Sequence, residues 1–505
     1  MRDFLTLPKD DKNGDVIMWW KILLALLGIF IIVTLIRAAF FKPKKIEKIN
    51  IEKRKIDENA VAQHISKAIQ CKTISKPGDI DVDWEEFEKF HAFLDETYPL
   101  IRKNLTKEVI GKASLLYHWK GKNPDLEPMA LLAHQDVVPV AEGTEKDWEH
   151  DAFAGEIVDG IIWGRGALDM KNHLICVMEA VETLLEDGFQ PERDIYLCFG
   201  HNEETVSPSC NGATQIANTL KSRGIHLDSV LDEGSALIRL DIPAVVHTYI
   251  AAVGVAEKGY VDMKITLHDK GGHTSAAPKH SGMAKLANTI QDLENHQFKA
   301  RWLPFLDELL GTVGRNATYL GRVVMCNLPI LRPLVKLIMK SIGESASMVR
   351  TVTSASMCEG SPAANVLPQR PSLTVNFRPL QGDTIADVEK HIRKVVRYKD
   401  IEVEAIDGKE ASKFSPTDSR AFNAIRKVEA GLHPDDVAVA PYLVMGGTDS
   451  YFYSDICDNV LRFAPFDVSV QLFLTTHATN ERIPVDVLEE SVIFFREYIK
   501  EASKN

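Results

Sequence analysis

The sequence predicts an α/β fold, a largely buried sheet with helices on both faces, carrying a second α+β unit within it. Three observations predict it. Short apolar runs such as "PMALLAHQDVV" and "DIYLCFGHNEE" are of the buried-strand type. They alternate with helical stretches, among them "MKNHLICVMEAVETLLEDG", an amphipathic pattern with Gly188 at its stop. Near residue 250 the texture changes: "KGYVDMKITLHDKGGHTSAAP" first alternates like a half-exposed strand, then turns at Gly271-Gly272.

Taken in order, residues 1–15 form an N-terminal tail and residues 16–41 a membrane helix or signal anchor. The run from Ile22 to Ile36 is free of charge, Lys21 and Arg37 lie near its ends, and Trp19 and Trp20 suit an interfacial belt. The apolar core is longer than that of a usual signal peptide, which favours a retained anchor. Residues 42–60 read as a basic, helical stalk. Residues 61–249 give the first part of the main domain, 250–380 the inserted domain and 381–505 the second part. "SLTVNFRPL" is a strand of the insert, ended by Pro379, and the apolar "LPILRPLVKLIMKSI" is one of its helices. "FNAIRKVEAGL" and "LEESVIFFREYIKEA" are helices of the last part, and "NVLRFAPF" a strand.

The chain has 505 residues, enough for two or three structural units. A formal net charge of −12 argues against a nucleic-acid surface. Seven cysteines without metal-type spacing do not make a disulfide framework, and Cys176 and Cys198 sit in apolar runs as small hydrophobes. Lys42, Lys44, Lys45 and Lys48 follow the membrane helix and favour a cytosolic C-terminal side. The sequons "NLT" at Asn104 and "NAT" at Asn316 pull the other way, toward a glycosylated domain in a lumenal compartment (vacuole, lysosome or secretory pathway) or outside the cell.

Four polar knots interrupt the apolar strands: His134-Gln135-Asp136, "GRGALDMKNH" with Asp169, "GHNEETVS" with Glu203 and Glu204, and "VLDEGSAL" with Asp232 and Glu233. Each alone has an ordinary explanation, such as a helix cap at Asp169 or a solvated turn at the glutamates. Together they place an imidazole and several carboxylates at strand ends of one sheet, where such folds gather their ligands. One histidine with several carboxylates suits a divalent metal, and Zn²⁺ accepts this mixture. Two ions sharing a bridging carboxylate would use this many donors and could activate water beside a polarised carbonyl. Of the adjacent pair Glu203-Glu204, one residue can bind metal while the other takes a proton.

"HQDVVPV", "WGRGALDMK", "NEET", "LDEG", "GGHTSAAP", "NVLP", "NFRP", "GGTDS" and "HATNER" stand in one order along the chain. From about residue 60 to the C-terminus the sequence resembles the dizinc metallopeptidase and aminoacylase family. It is most similar to the carboxypeptidase S branch, which also holds secreted N-acyl amino acid hydrolases. The resemblance implies a zinc-exopeptidase-like catalytic domain with an inserted lid and dimerisation domain, two Zn²⁺ per subunit and a homodimer. It implies that His134, Asp169 and one acid of "LDEG" hold one ion, with Asp232 slightly preferred over Glu233. Asp169 would bridge, and Glu204 with His477 would hold the second ion. Glu203 would be the general base, and Asp136 would fix the tautomer of His134 from behind. His273 would donate to the oxyanion from a partner subunit, while Asn365, Arg378 and the backbone at Gly447 would contact substrate. His201, which departs from relatives, is expected to face solvent.

The function expected is hydrolysis of amide bonds in small peptides or N-acyl amino acids. A catalytically inactive receptor on the same scaffold is the alternative, and the intact Glu203 argues against it. A serine or cysteine hydrolase lacks its motif, since there is no G-x-S-x-G.

Overall fold

The computed structural model of the protein describes residues 12–51, 54–205, 211–243, 246–434 and 437–505. Its centre is an eight-stranded mixed sheet in the order 106–110, 114–119, 195–200, 129–134, 229–242, 460–467, 246–257 and 437–444. The strands Met129–His134, Ile195–Gly200 and Ser229–Ile242 are neighbours and run parallel, so their carboxyl ends open on one rim. They are apolar because helices cover both faces. One face packs under Glu58–Ile69, Lys171–Glu186, Arg420–Leu432 and Leu488–Ala502, the other under Gly212–Ser222. Every residue of Met129–His134 is buried, and each large side chain so placed contributes about 1.5–3 kcal/mol.

The helix expected from its amphipathic pattern forms at Lys171–Glu186 and is buried on most of its surface. Twelve of its 16 residues are buried, because helices Glu58–Ile69, Pro99–Asn104 and Leu488–Ala502 close over the side that the sheet leaves open. The segment after the membrane-type helix is not a helical stalk. Residues 41–51 are irregular and lie along the body, with Lys48 Nζ donating to the carbonyl of Pro434 and Ile49 packing on the core. Helix resumes only at Glu58, capped by the carboxylate of Asp57.

A second, four-stranded antiparallel sheet has the order 352–359, 372–378, 260–267 and 401–409, with helices Gly282–Asn295 and Ile385–Val395 packed on it. The two sheets therefore divide the chain at other residues than 250 and 380. Val246–Glu257 pairs with 437–444 in the main sheet, and Ile401–Lys409 pairs with Tyr260–Leu267 in the second. The misplacement has a physical cause: Ile401–Lys409 is an edge strand of mixed polarity, without a clear apolar face in the sequence.

At the N-terminus, helix Lys12–Phe40 contains one segment, Trp19–Phe40, long and apolar enough to cross a membrane. Of the cysteines, Cys71, Cys176, Cys198, Cys326, Cys358 and Cys457 are unpaired, while Cys210 lies outside the described residues. Burial pushes the Cys198 thiol up to about 12, as befits an inert small hydrophobe.

Candidate metal centre

His134 ends its strand in register with Gly200, which brings the turn 201–204 beside it. Its Nδ1–H donates to the carbonyl oxygen of Asp136 at 2.9 Å, leaving Nε2 free to face the rim. Nε2 lies 3.0 Å from Asp169 Oδ1 and 3.3 Å from Glu233 Oε1. Across Asp169, the Nε2 of His477 is 3.0 Å from Asp169 Oδ2 and 3.0 Å from Glu204 Oε2. Two groups of three donors thus form, His134–Asp169–Glu233 and Asp169–Glu204–His477, and they share Asp169.

Asp232 is not in the first group. It is buried, and its Oδ2 accepts the backbone N–H of Ser450 at 2.8 Å. Alternation along the strand turns Asp232 and Glu233 to opposite faces, so only one of the pair can reach the rim. It is Glu233 that does so, and the sequence preference for Asp232 is corrected. The part of Asp136 also differs from expectation. Its carboxylate is 3.6 Å from His134 Nδ1, and the tautomer is fixed by its carbonyl oxygen instead. The carboxylate accepts the backbone N–H groups of Glu203 and Glu204, both at 3.2 Å, and so pins the glutamate turn to the histidine strand. Asn202 stands before this turn with φ +66°, and His477 has φ +60°. Such left-handed backbone costs a non-glycine residue on the order of 1 kcal/mol or more, as is usual where function holds a turn in place. Gln135 faces away, and its amide donates to the carbonyls of Ala113 and Phe199, both at 2.9 Å, stitching strands together.

His201 does not face solvent. It is buried, with Nδ1 2.6 Å from the Ser114 hydroxyl and its ring edge-on to Trp84, and burial lowers its pKa. Just before it, Gly200 has no room for a side chain: a Cβ there would lie 2.3 Å from Asp449 Oδ2. Asp449, from the "GGTDS" motif, received no role from sequence, yet it is buried beside Asp232 and accepts from Asn211 Nδ2 at 2.9 Å. Burial and the Asp232 charge push it up to about 7.

Glu481 was also missed as a positioning group, although the motif "HATNER" contains it. It is fully buried and ion-paired to Arg165, and it accepts the N–H groups of Gly166 (3.0 Å), Leu168 (2.9 Å) and Asp169 (3.1 Å). One carboxylate thereby shapes the loop of Asp169 from a position four residues beyond His477 in the chain. Glu481→Ala leaves Arg165 buried without its partner and is expected to cost roughly 3–5 kcal/mol, to be checked by comparing denaturation midpoints with the parent protein.

The electrostatics of the rim call for cations. Burial alone would depress His134, but the carboxylates of Asp136, Asp169 and Glu233 beside it hold it well above the ordinary histidine range. Asp169 and Glu204 raise His477 to about 10. Burial and the charge of Asp169 push Glu233 up to about 8 and Glu204 upward as well. Desolvation also raises Glu203, which His134 opposes and Glu204 reinforces. Protons thus sit on groups whose donor atoms converge, and clustered carboxylates of this kind are stable when charged only against a bound cation. The donors present fit divalent metal in number and type. A cavity of about 100 Å³ adjoins Asp169 and Glu233, with Leu168, Phe466, Val468 and Phe473 among its walls.

His273, Asn365 and Arg378 stand apart. His273 is exposed on the short strand Gly272–His273, its Nδ1 2.7 Å from Ser275 Oγ, and the Asn365 carbonyl accepts the neighbouring Thr274 N–H. Arg378 ends its strand over the ring of Tyr260, 4.7 Å from the centroid, and burial lowers its pKa. Among the described residues, no hydrogen bond or ion pair joins these three to the carboxylate rim. Gly447 lies against Lys409, where a Cβ would come within 2.5 Å of Nζ. The same loop is tied down by the buried Glu257, which accepts Thr448 N–H at 3.0 Å and pairs with Lys409 and Arg462.

Comparison with known proteins agrees with this geometry. Residues 130–501 match the model of the peptidase family M20/M25/M40. A probable carboxypeptidase S-like 2 of Dictyostelium discoideum is 33% identical over 451 residues, covering 88% of this chain and 85% of its own. The N-fatty-acyl-amino acid synthase/hydrolase PM20D1 of Bos taurus is 31% identical over 450 residues, 87% of each chain. Among solved structures, an M20 family metallo-carboxypeptidase of Sulfolobus solfataricus superposes with a TM-score of 0.63 at 18% identity, covering 89% of this chain and 99% of its own. Human carnosine dipeptidase 1 gives 0.61 at 15% identity, covering 88% and 96%. The chain belongs to the peptidase family M20/M25/M40 and is a hydrolase.

Proposed function

We propose that the protein is a membrane-anchored, two-zinc hydrolase of amide bonds whose product bears a free α-carboxylate. Small peptides and N-acyl amino acids are its substrate classes. The observation that carries this reading is the pair of three-donor groups that share Asp169. His134, Asp169 and Glu233 would hold one ion, and Asp169, Glu204 and His477 the other. When bound, the ions supply Lewis acidity toward water and the scissile carbonyl. Glu203, fixed by its backbone N–H on Asp136, takes the proton from water and delivers it to the leaving amine. The apolar walls of the small cavity beside Asp169 and Glu233 suit an aliphatic or acyl group of the substrate. Similarity both to a probable carboxypeptidase S-like protein and to an N-fatty-acyl-amino acid synthase/hydrolase supports both substrate classes.

Arg378 is read as the clamp for the substrate carboxylate, with Asn365 and the Gly447 loop beside it, and His273 as the oxyanion donor to a partner subunit's site. Two features support the reading of His273: its exposure, and its lack, among the described residues, of a hydrogen bond or ion pair to the rim of its own chain. The segment Trp19–Phe40 is read as a single membrane span, with the catalytic domain in a lumenal compartment or outside the cell.

The test is an assay of the full chain, loaded with Zn²⁺ in detergent, against a panel of dipeptides and N-acyl amino acids. Turnover of at least one class is expected. Metal-loaded protein that turns over neither class sinks the reading. For a substrate so found, Arg378→Ala is expected to raise KM by roughly 10-fold to 100-fold while kcat changes less, the signature of a lost charge-assisted contact. An unchanged KM removes Arg378 from the site.

A further inference from the structure

Helix Tyr319–Met325 packs against the N-terminal helix and against Pro304–Asn316, and helix Leu328–Met339 starts beside the N-terminal helix at Asn327. Their contacts to it lie inside its apolar span. Asn327 Nδ2 donates to Thr34 Oγ1 at 3.3 Å, Tyr319 Oη donates to the carbonyl of Leu35 at 3.0 Å, and Arg37 Nη2 donates to the carbonyl of Cys326 at 2.7 Å. Ala38 is wholly buried there, and the Arg315 guanidinium stacks 4.4 Å from the centre of the Phe41 ring.

The outer face of this helix pair is apolar and uncovered. Leu320 and Val324 are one helical turn apart, Ile330, Leu334 and Ile338 repeat at the same spacing, and Ile342 follows just beyond the second helix. These six are between 50 and 60% exposed. The opposite face is used normally, with Val335 and Met339 packed against Leu306 and Val349. Between Glu308 and Glu344 there is no acidic residue, while Arg315, Arg322, Arg332, Lys336 and Lys340 are basic. A contiguous apolar patch of this kind is rare on a surface that meets only water.

We infer that the helices 319–325 and 328–339 lie in the interface of the bilayer that the N-terminal helix crosses, their apolar face in the acyl region and their basic side chains at the headgroups. The bilayer is chosen over other occupants by continuity, because the patch adjoins residues already within the span. Thr34 is six residues in from Phe40, about 9 Å along the helix axis. That depth matches the roughly 5–10 Å to which interfacial amphipathic helices sink. The main domain is then held against the membrane at two points, with its orientation fixed. The inference rests on the reading of Trp19–Phe40 as a membrane span and is independent of the hydrolase reading.

The test uses the full chain with Cys210 and Cys358 replaced by serine, reconstituted in phosphatidylcholine vesicles. An environment-sensitive fluorophore is attached through Leu334→Cys or Ile338→Cys. Leu26→Cys in the N-terminal helix and Glu404→Cys on the exposed edge of the second sheet serve as references, and every variant used keeps the parent's thermal midpoint. Lipids with a spin label on the acyl chain are expected to quench positions 334 and 338 by about two-fold or more, as for a side chain immersed in the acyl region, and to leave 404 unquenched. Absence of quenching at 334 and 338 overturns the inference. If aqueous iodide reaches them, the face is free; if iodide is excluded, a second copy of the chain covers it. Quenching at 26 in the same experiment keeps the spanning reading intact, and its absence removes that reading separately.

Discussion

Glu203→Gln is expected to lower kcat by about 10²–10⁴-fold, the usual contribution of a positioned general base, with KM and metal content unchanged. The side chain keeps its size, and its backbone N–H still donates to Asp136 Oδ1, so the turn that presents it is preserved. What is lost is a site for a proton. In the metal-free protein, desolvation and the neighbouring Glu204 raise the Glu203 carboxyl, and the proximity of His134 opposes them. A carboxylate raised in this way holds a proton more tightly than a free one, as suits a group that takes a proton and passes it on. Steady-state kinetics paired with metal stoichiometry decide the matter. A variant that binds both ions and retains full kcat would show that the proton goes elsewhere.

The main sheet was legible in the sequence because its central strands are buried on both faces. "PMALLAHQDVV" and "DIYLCFGHNEE" can hardly be anything else, and their polar ends locate the rim. His134, Asp169, Glu204 and His477 follow from motif order and converge as a group. The choice between Asp232 and Glu233 was not legible, because strand alternation decides which residue faces the rim only once the phase of the strand is known. Asp449 and Glu481 were hidden for another reason. Each is placed by contacts distant in sequence: Asp449 fills the space beside Gly200 and accepts from the Asn211 side chain, while Glu481 accepts backbone N–H groups of the Asp169 loop, and no local pattern encodes such contacts. The helix Lys171–Glu186 was legible, but the extent of its burial was not: its pattern reports polarity, whereas Lys171 is fully buried with its Nζ donating to the carbonyls of Ala68 and Cys71. Residues 42–51 misled because lysines favour helix on average, yet here the chain is irregular and held by contacts with the body.

Stripping the metal is expected to abolish turnover and to lower stability, and the loss of stability is expected to grow with pH. A metal that binds only the folded chain adds about 4 kcal/mol per site when free metal exceeds its dissociation constant by a thousandfold. In the stripped protein the rim must be neutralised by protons. Glu233 titrates near 8, raised by burial and Asp169, and Asp449 near 7, raised by burial and Asp232. A carboxyl whose folded pKa lies above its unfolded value binds more protons folded than unfolded between the two. Stability therefore falls as pH rises from about 4.5 through 8 and is flat for these groups beyond that. A divalent ion held by Glu233 would displace its proton but leave that of Asp449, so the metal-loaded protein is expected to have a shallower slope. Thermal midpoints of stripped and Zn²⁺-reloaded protein, measured from pH 5 to pH 9, are expected to diverge toward the alkaline end. Parallel curves would mean that the carboxylates are compensated without metal, which would remove the electrostatic argument for the site. Asp169→Asn tests the shared ligand within the same series. Asp169 faces both histidines, so its loss is expected to reduce the gap between the two curves by more than the loss of Glu233 or Glu204, each of which faces one.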